Sequence, residues 1–120
     1  LVRQNNWGQN KDIVSDPPIL IAQIETSKAV KNIKKIHGFD YYMIGPYDLS
    51  ASLGHPAEFD NPVFKNAVNE VKRHIPNEKM AVHIPKDVEK EIKKYDGYGI
   101  IAVGMDTTSL IETHRKLQDA

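Results

Sequence analysis

The chain is 120 residues long, 40% hydrophobic and 27% charged, which is the make-up of an ordinary globular domain and excludes a disordered or fibrous chain. Its 16 basic and 16 acidic residues cancel, so no net field draws it to nucleic acid or to an anionic membrane, and a charged ligand must be recognised locally. The absence of cysteine excludes a disulfide framework, a thiolate zinc site and a cysteine nucleophile, and agrees with a reducing, cytoplasmic compartment.

Residues 1–16, polar and carrying Trp7 and Gly8, read as a loop leading into the first strand, with Trp7 as a packing residue. Leu1 in first place predicts a piece of a longer protein. Residues 17–120 then divide into four βα units of one partial domain. The first strand lies in "PILIAQIE" from Pro18. The helix after it, "TSKAVKNIKKIHG", opens on hydroxyl residues able to cap, carries Ala29, Val30, Ile33 and Ile36 at helical spacing, and stops at Gly38. "DYYMIGP" from Asp40 is the second strand, with Gly45 and Pro46 as turn formers at its end. "NPVFKNAVNEVKRHI" is an amphipathic helix with Val63, Phe64, Ala67, Val68 and Val71 on one face and Pro62 in its first turn. "KMAVHIP" is the third strand, "PKDVEKEIKKYDG" a helix ending at Gly97, "GIIAVGMD" the fourth strand, and "DTTSLIETHRKLQ" a last helix opening on Asp106 and Thr107 as caps.

The strands are continuous apolar runs, as parallel strands covered on both faces are. Strict βα alternation implies a parallel sheet with right-handed crossovers. A small doubly wound sheet and a (βα)8 barrel both fit. A barrel of ~250 residues allots about 31 to each unit. The present chain, divided by four, allots about as many, so the second option makes it half of a TIM barrel. No apolar run approaches the roughly 18 residues of a membrane span, and no basic-then-apolar leader is present.

In both architectures ligands bind at the carboxyl ends of the strands. There the first run ends in Gln23 and Glu25, which share a face, and the second in Gly45, Pro46, Tyr47 and Asp48. Adjacent parallel strands bring Glu25 and Asp48 to one rim, where two carboxylates repel unless a cation or proton lies between them. Oxygen ligands of this kind suit Mg²⁺ or Mn²⁺, which keep waters and take further ligands from substrate. Against this stands helix capping, the common use of an acid just after a strand, and for Asp106 the preferred one. The amides of Gly45 and Tyr47 are candidate donors to a carboxylate; Pro46 has no N–H to offer. His37, His74 and His114 read as solvated helix residues, His55 as a loop residue near the motif, and His83 as structural or pore-facing. The clusters Lys31, Lys34, Lys35 and "KEIKKY" read as solvated helix faces, and no GxGxxG or P-loop is present.

"AQIETSKAVKNI", "FDYYMIGPYDLSASLG" and "IAVGMDTTSL", in this order and separation, resemble the HpcH/HpaI class II aldolases over nearly the whole chain from Pro18. The resemblance implies the C-terminal half of a (βα)8 barrel and a divalent metal, Mg²⁺ or Mn²⁺ with Co²⁺ as a further candidate, held by Glu25 and Asp48. It places the pyruvate-binding glutamine on Gln23 and the backbone donors to the pyruvate carboxylate around Gly45 and Tyr47, with Pro46 between them as part of the substrate-binding stretch. The implied reaction is reversible cleavage of a 4-hydroxy-2-oxo acid to pyruvate and an aldehyde, with the metal as Lewis acid. The family's base and enolate-stabilising arginine belong to the N-terminal half, so no certain catalytic residue falls in this chain, and the 120 residues alone are expected to be inactive. A homo-oligomer is implied for the full-length protein. Two other readings compete: a citrate-lyase-like C–C lyase acting on an acyl-CoA, and a non-catalytic half-barrel that assembles through its edge strands, with Glu25 and Asp48 as caps.

Overall fold

The computed structural model describes residues 18–119; the expected lead-in loop 1–16, with Trp7, lies outside the described residues. Four strands, β1 (Ile21–Ile24), β2 (Tyr41–Ile44), β3 (Met80–Ile84) and β4 (Ile100–Val103), form one parallel sheet in sequential order β1-β2-β3-β4. A doubly wound sheet reverses its strand order at a switch point and carries helices on both faces. Neither occurs among the described residues. The buried strand residues Ala22, Tyr42 and Met80 are register partners on one face, and with Ile24 they pack against Val30, Ile33, Leu49, Phe64, Ala67 and Val71 of the helical layer. Sequential order with a single helical layer is the build of a barrel segment.

The opposite face is open at its β1 edge among the described residues, and Ala81, beside Met43 in the middle of the sheet, is the buried strand residue on it. Ile21 and Gln23 are exposed on β1 while their neighbours Ala22 and Ile24 are buried, and Ile19 stands 68% exposed. The expectation of strands covered on both faces therefore holds on the helical side only: four strands do not curl far enough to cover their own concave face.

The helices are α1 (Ser27–Lys31), α2 (Pro46–Ser52), α3 (Pro62–His74), α4 (Val88–Glu91) and α5 (Asp106–Gln118). The single helix expected after β1 is in fact α1 followed by a 3-10 turn, Ile33–Lys35. Asn32 sits at the break, its side-chain amide donating to the Lys28 carbonyl at 2.8 Å, the competition for backbone groups that makes asparagine a poor helix-interior residue. The segment after β3 divides likewise into α4 and a 3-10 turn, Ile92–Tyr95. α3 keeps its predicted bounds: Asn61 accepts from the Val63 amide at 2.9 Å, Pro62 occupies the first turn, and Phe64, Ala67 and Val71 face the core.

α5 departs from expectation. None of its residues is buried, Leu110, Ile111 and Leu117 are exposed, and Val103 on the helix-facing side of β4 is 57% exposed, so α5 does not cover the last strand. Asp106 meets its expected use only in part. It lies inside the helix, its Oδ1 accepting from the Thr107 amide at 2.6 Å, while Met105 holds the cap position.

Candidate active site

The carboxyl ends of β1 and β2 are joined tightly. Gln23 pairs with Met43 and Ile24 with Ile44, and the Gly45 amide donates to the Ile24 carbonyl at 3.1 Å, carrying the ladder one residue further. That amide is consumed within the sheet, which corrects the expectation that it binds a ligand carboxylate. The stretch after Gly45 is a helix rather than a turn. Gly45 is the N-cap of α2, Pro46 takes the first position, where a missing N–H costs nothing, and Asp48 falls third. In this first turn the Tyr47 amide has no carbonyl four residues back inside the helix, so it stays open to a ligand.

Neither acid is a cap. Thr26 caps α1, its Oγ1 accepting from the Ala29 amide at 3.1 Å, and Gly45 caps α2. Neither Glu25 nor Asp48 joins an ion pair among the described residues. Both turn towards the same bare spot. A Cβ placed on Gly45 would lie 3.6 Å from Glu25 Oε2 and 4.0 Å from Asp48 Oδ2, so the two oxygens are no farther apart than these distances laid end to end. Glycine leaves that space clear, and the donors around it are carboxylate oxygens, the set a hard cation takes. Among the described residues no group of three or more His, Cys, Asp or Glu side chains could hold a metal ion.

Gln23, Gly45, Pro46, Tyr47 and Asp48 border one cavity of about 640 Å³, with His83 also on its wall. Glu25 does not line it and meets it through Gly45. The Tyr47 ring turns back onto Phe59 at 5.1 Å, edge to face, and Phe59 onto Phe64 at 5.5 Å, so this side chain anchors α2 to α3 and leaves the ligand side to its backbone. His55 holds the loop before α3, with Nδ1 3.0 Å from Asn61 Nδ2 and 3.3 Å from Glu58 Oε2. His37 follows the 3-10 turn rather than lying on a helix, and His74 rests on the Glu70 carbonyl at 2.9 Å.

Two serines hold the site in shape. Ser50 is fully buried; its hydroxyl donates to the Tyr47 carbonyl at 2.8 Å and accepts from the Ala57 amide at 2.9 Å. Ser52 Oγ accepts from the Ser27 amide at 2.9 Å, tying α2 to the turn that carries Glu25. Their spacing in "DLSAS" was the available signal: residues two apart on a short helix point to different neighbours. Ser50→Ala strands the Ala57 amide and is expected to cost about 1–3 kcal/mol, read as a lowered denaturation midpoint with unchanged m-value.

A family model described as "HpcH/HpaI aldolase/citrate lyase" matches residues 6–113. The chain belongs to this family. A Klebsiella pneumoniae protein named 4-hydroxy-2-oxo-heptane-1,7-dioate aldolase is 34% identical over 118 residues, covering 92% of the chain and 44% of that relative. The crystal structure of an HpcH/HpaI aldolase from Desulfitobacterium hafniense superimposes with a TM-score of 0.71 at 24% identity, over 99% of the chain and 47% of the other. That of an HpcH/HpaI aldolase/citrate lyase family protein from Burkholderia cenocepacia J2315 does so with a TM-score of 0.68 at 25% identity, over 82% and 40%. This HpcH/HpaI chain thus spans somewhat less than half the length of the relatives it matches, and its four βα units are half of a (βα)8 barrel.

Proposed function

We propose that this HpcH/HpaI chain carries the metal- and pyruvate-binding half of an aldolase that reversibly cleaves a 4-hydroxy-2-oxo acid to pyruvate and an aldehyde. The observation that carries the reading is the convergence of two uncapped carboxylates, Glu25 and Asp48, on the bare surface of Gly45. In it Glu25 and Asp48 hold Mg²⁺ or Mn²⁺, with Co²⁺ a further candidate, and the bound cation supplies Lewis acidity to the keto oxygen. Gln23, on the open face of β1 at the cavity wall, orients the 2-oxo acid. The Tyr47 amide donates to its carboxylate, and Gly45 and Pro46 keep the floor low. The proton acceptor and the groups that stabilise developing negative charge come from the N-terminal half of the barrel.

Calorimetric titration with Mn²⁺ tests the proposal. The chain binds Mn²⁺, pyruvate binds only when Mn²⁺ is present, and no cleavage of a 4-hydroxy-2-oxo acid is seen without the other half-barrel. Pyruvate binding indifferent to Mn²⁺ refutes the metal site, and turnover at ordinary rates refutes the division of labour.

A second reading, assembly through the sheet, has its own support. Among the described residues β1 and β4 are the edges of the sheet with no further strand beside them, and Ile19 and Ile21 lie exposed beside the open face. A half-barrel with that purpose alone has no use for Glu25 and Asp48, and their removal leaves its association unchanged.

A further inference from the structure

Glu25 joins no ion pair among the described residues, so its place beside Asp48 falls to the backbone that carries it. Two hydrogen bonds fix that backbone to the neighbouring segment. Just before Glu25 the Ile24 carbonyl accepts from the Gly45 amide at 3.1 Å, and two residues after it the Ser27 amide donates to Ser52 Oγ at 2.9 Å. Glu25 thus lies between two ties to the stretch that carries Asp48.

The second tie is a cap made between helices. Ser27 is the first residue of α1, so its amide has no carbonyl four residues back within the helix. The cap of α1 itself, Thr26, serves the Ala29 amide, and Ser52 supplies the acceptor that Ser27 lacks. Asp48 and Ser52 are four residues apart in α2, one turn, and share a face of it. The face that presents one carboxylate therefore also grips the turn that presents the other, with the bare surface of Gly45 between the two acids. Ser50 points elsewhere, to the Tyr47 carbonyl and the Ala57 amide.

We propose that Ser52 is a positioning residue for the cation site, fixing the separation of Glu25 from Asp48 by holding the Ser27 amide. Its bond lies at the surface, where water replaces a lost hydroxyl, so little of the fold's stability rests on it. Cation affinity does rest on it: a turn released at one end spreads the Glu25 carboxylate over several positions, and a cation has to gather it again. The inference rests on the metal-binding part of the reading above.

Calorimetric titration with Mn²⁺, paired with thermal melting of the metal-free chain, is the test. Ser52→Ala is expected to bind Mn²⁺ about fivefold more weakly, the scale of one net hydrogen bond, at an unchanged melting temperature. Ser52→Thr keeps the hydroxyl and restores wild-type affinity. Ser27→Pro deletes the same bond from the donor side, at a first helical position that suits proline and after a residue in extended conformation. It carries the same fivefold expectation should the alanine variant fail to fold. Asn61→Ala removes the cap of α3, away from both acids; it lowers the melting temperature and leaves the Mn²⁺ affinity of the folded chain as in wild type. Wild-type affinity in Ser52→Ala or Ser27→Pro, or an equal loss in Asn61→Ala, overturns this inference and leaves the metal site standing. Wild type that binds no Mn²⁺ overturns the metal site and this inference with it.

Discussion

Asp48→Asn is expected to weaken Mn²⁺ binding at least tenfold, or about 1.4 kcal/mol, while leaving the melting temperature of the metal-free chain unchanged. The amide keeps the shape of the side chain and removes one of two anionic charges at a site where charge count governs affinity for a hard cation. Stability should hold because Asp48 is exposed and the α2 cap is Gly45, so no structural hydrogen bond depends on its carboxylate. A helix cap would behave in the opposite way, with stability falling by about 1 kcal/mol and metal affinity unmoved. Calorimetry with Mn²⁺ and thermal melting, run on the same sample, separate the two outcomes. Equal metal affinity in the variant removes Asp48 from the site.

Gly99→Ala is expected to do the converse. Gly99 opens β4, its amide donating to the Met80 carbonyl at 3.0 Å, and a Cβ there would collide with the Glu78 carbonyl and the Tyr41 ring. Backbone cannot swing aside as a flexible side chain can, so β4 has to shift away from β3 and β2. Overpacking of this kind costs about 2–3 kcal/mol. For a chain of this size that is a melting temperature lower by roughly 10 °C. The collision lies at the amino end of the sheet and Glu25 with Asp48 at the carboxyl end, so metal affinity of the folded fraction should match wild type. A variant as stable as the parent would remove the close contact at Gly99 from what holds β4 against the sheet.

The two substitutions divide the sheet by function. Its amino end is closed by backbone lying against the Tyr41 ring at Gly99 and by the Asp40 carboxylate, whose Oδ2 accepts from the Leu20 amide at 2.8 Å. Its carboxyl end is left open over Gly45, with the serines of α2 holding the surrounding turns. Ser52 is attached to the turn bearing Glu25 and Ser50 to the loop after α2, so "GPYDLSAS" both presents the Asp48 carboxylate and fixes its own position relative to the neighbouring strand.

Much of this was legible in the residues. The four apolar runs located the strands because each is a local pattern with its own turn signals, and α3 matched its predicted bounds because Asn61, Pro62 and a clean apolar face all lie within one short window. Glu25 and Asp48 could be paired because strand ends in a parallel sheet meet at one rim whatever the details. α2 was missed because Gly45 and Pro46 are equally good turn formers and helix starters, and the choice falls to Leu49 and Ser50, which gain burial only when the helix forms against the sheet. The cap of α1 went to Thr26 and not its neighbour Glu25 through a difference of one residue in backbone angle, which propensity does not resolve. The loss of the Gly45 amide to the ladder, the arrival of His83 at the cavity wall and the exposure of α5 depend on register and packing between segments tens of residues apart. The sequence by itself determined the alternation, the strand ends and the two acids, since these are written in short-range periodicity and composition. Tertiary structure alone decided which groups remain unpaired and face one another, because a single-residue slip in register would have turned every one of them to the other face.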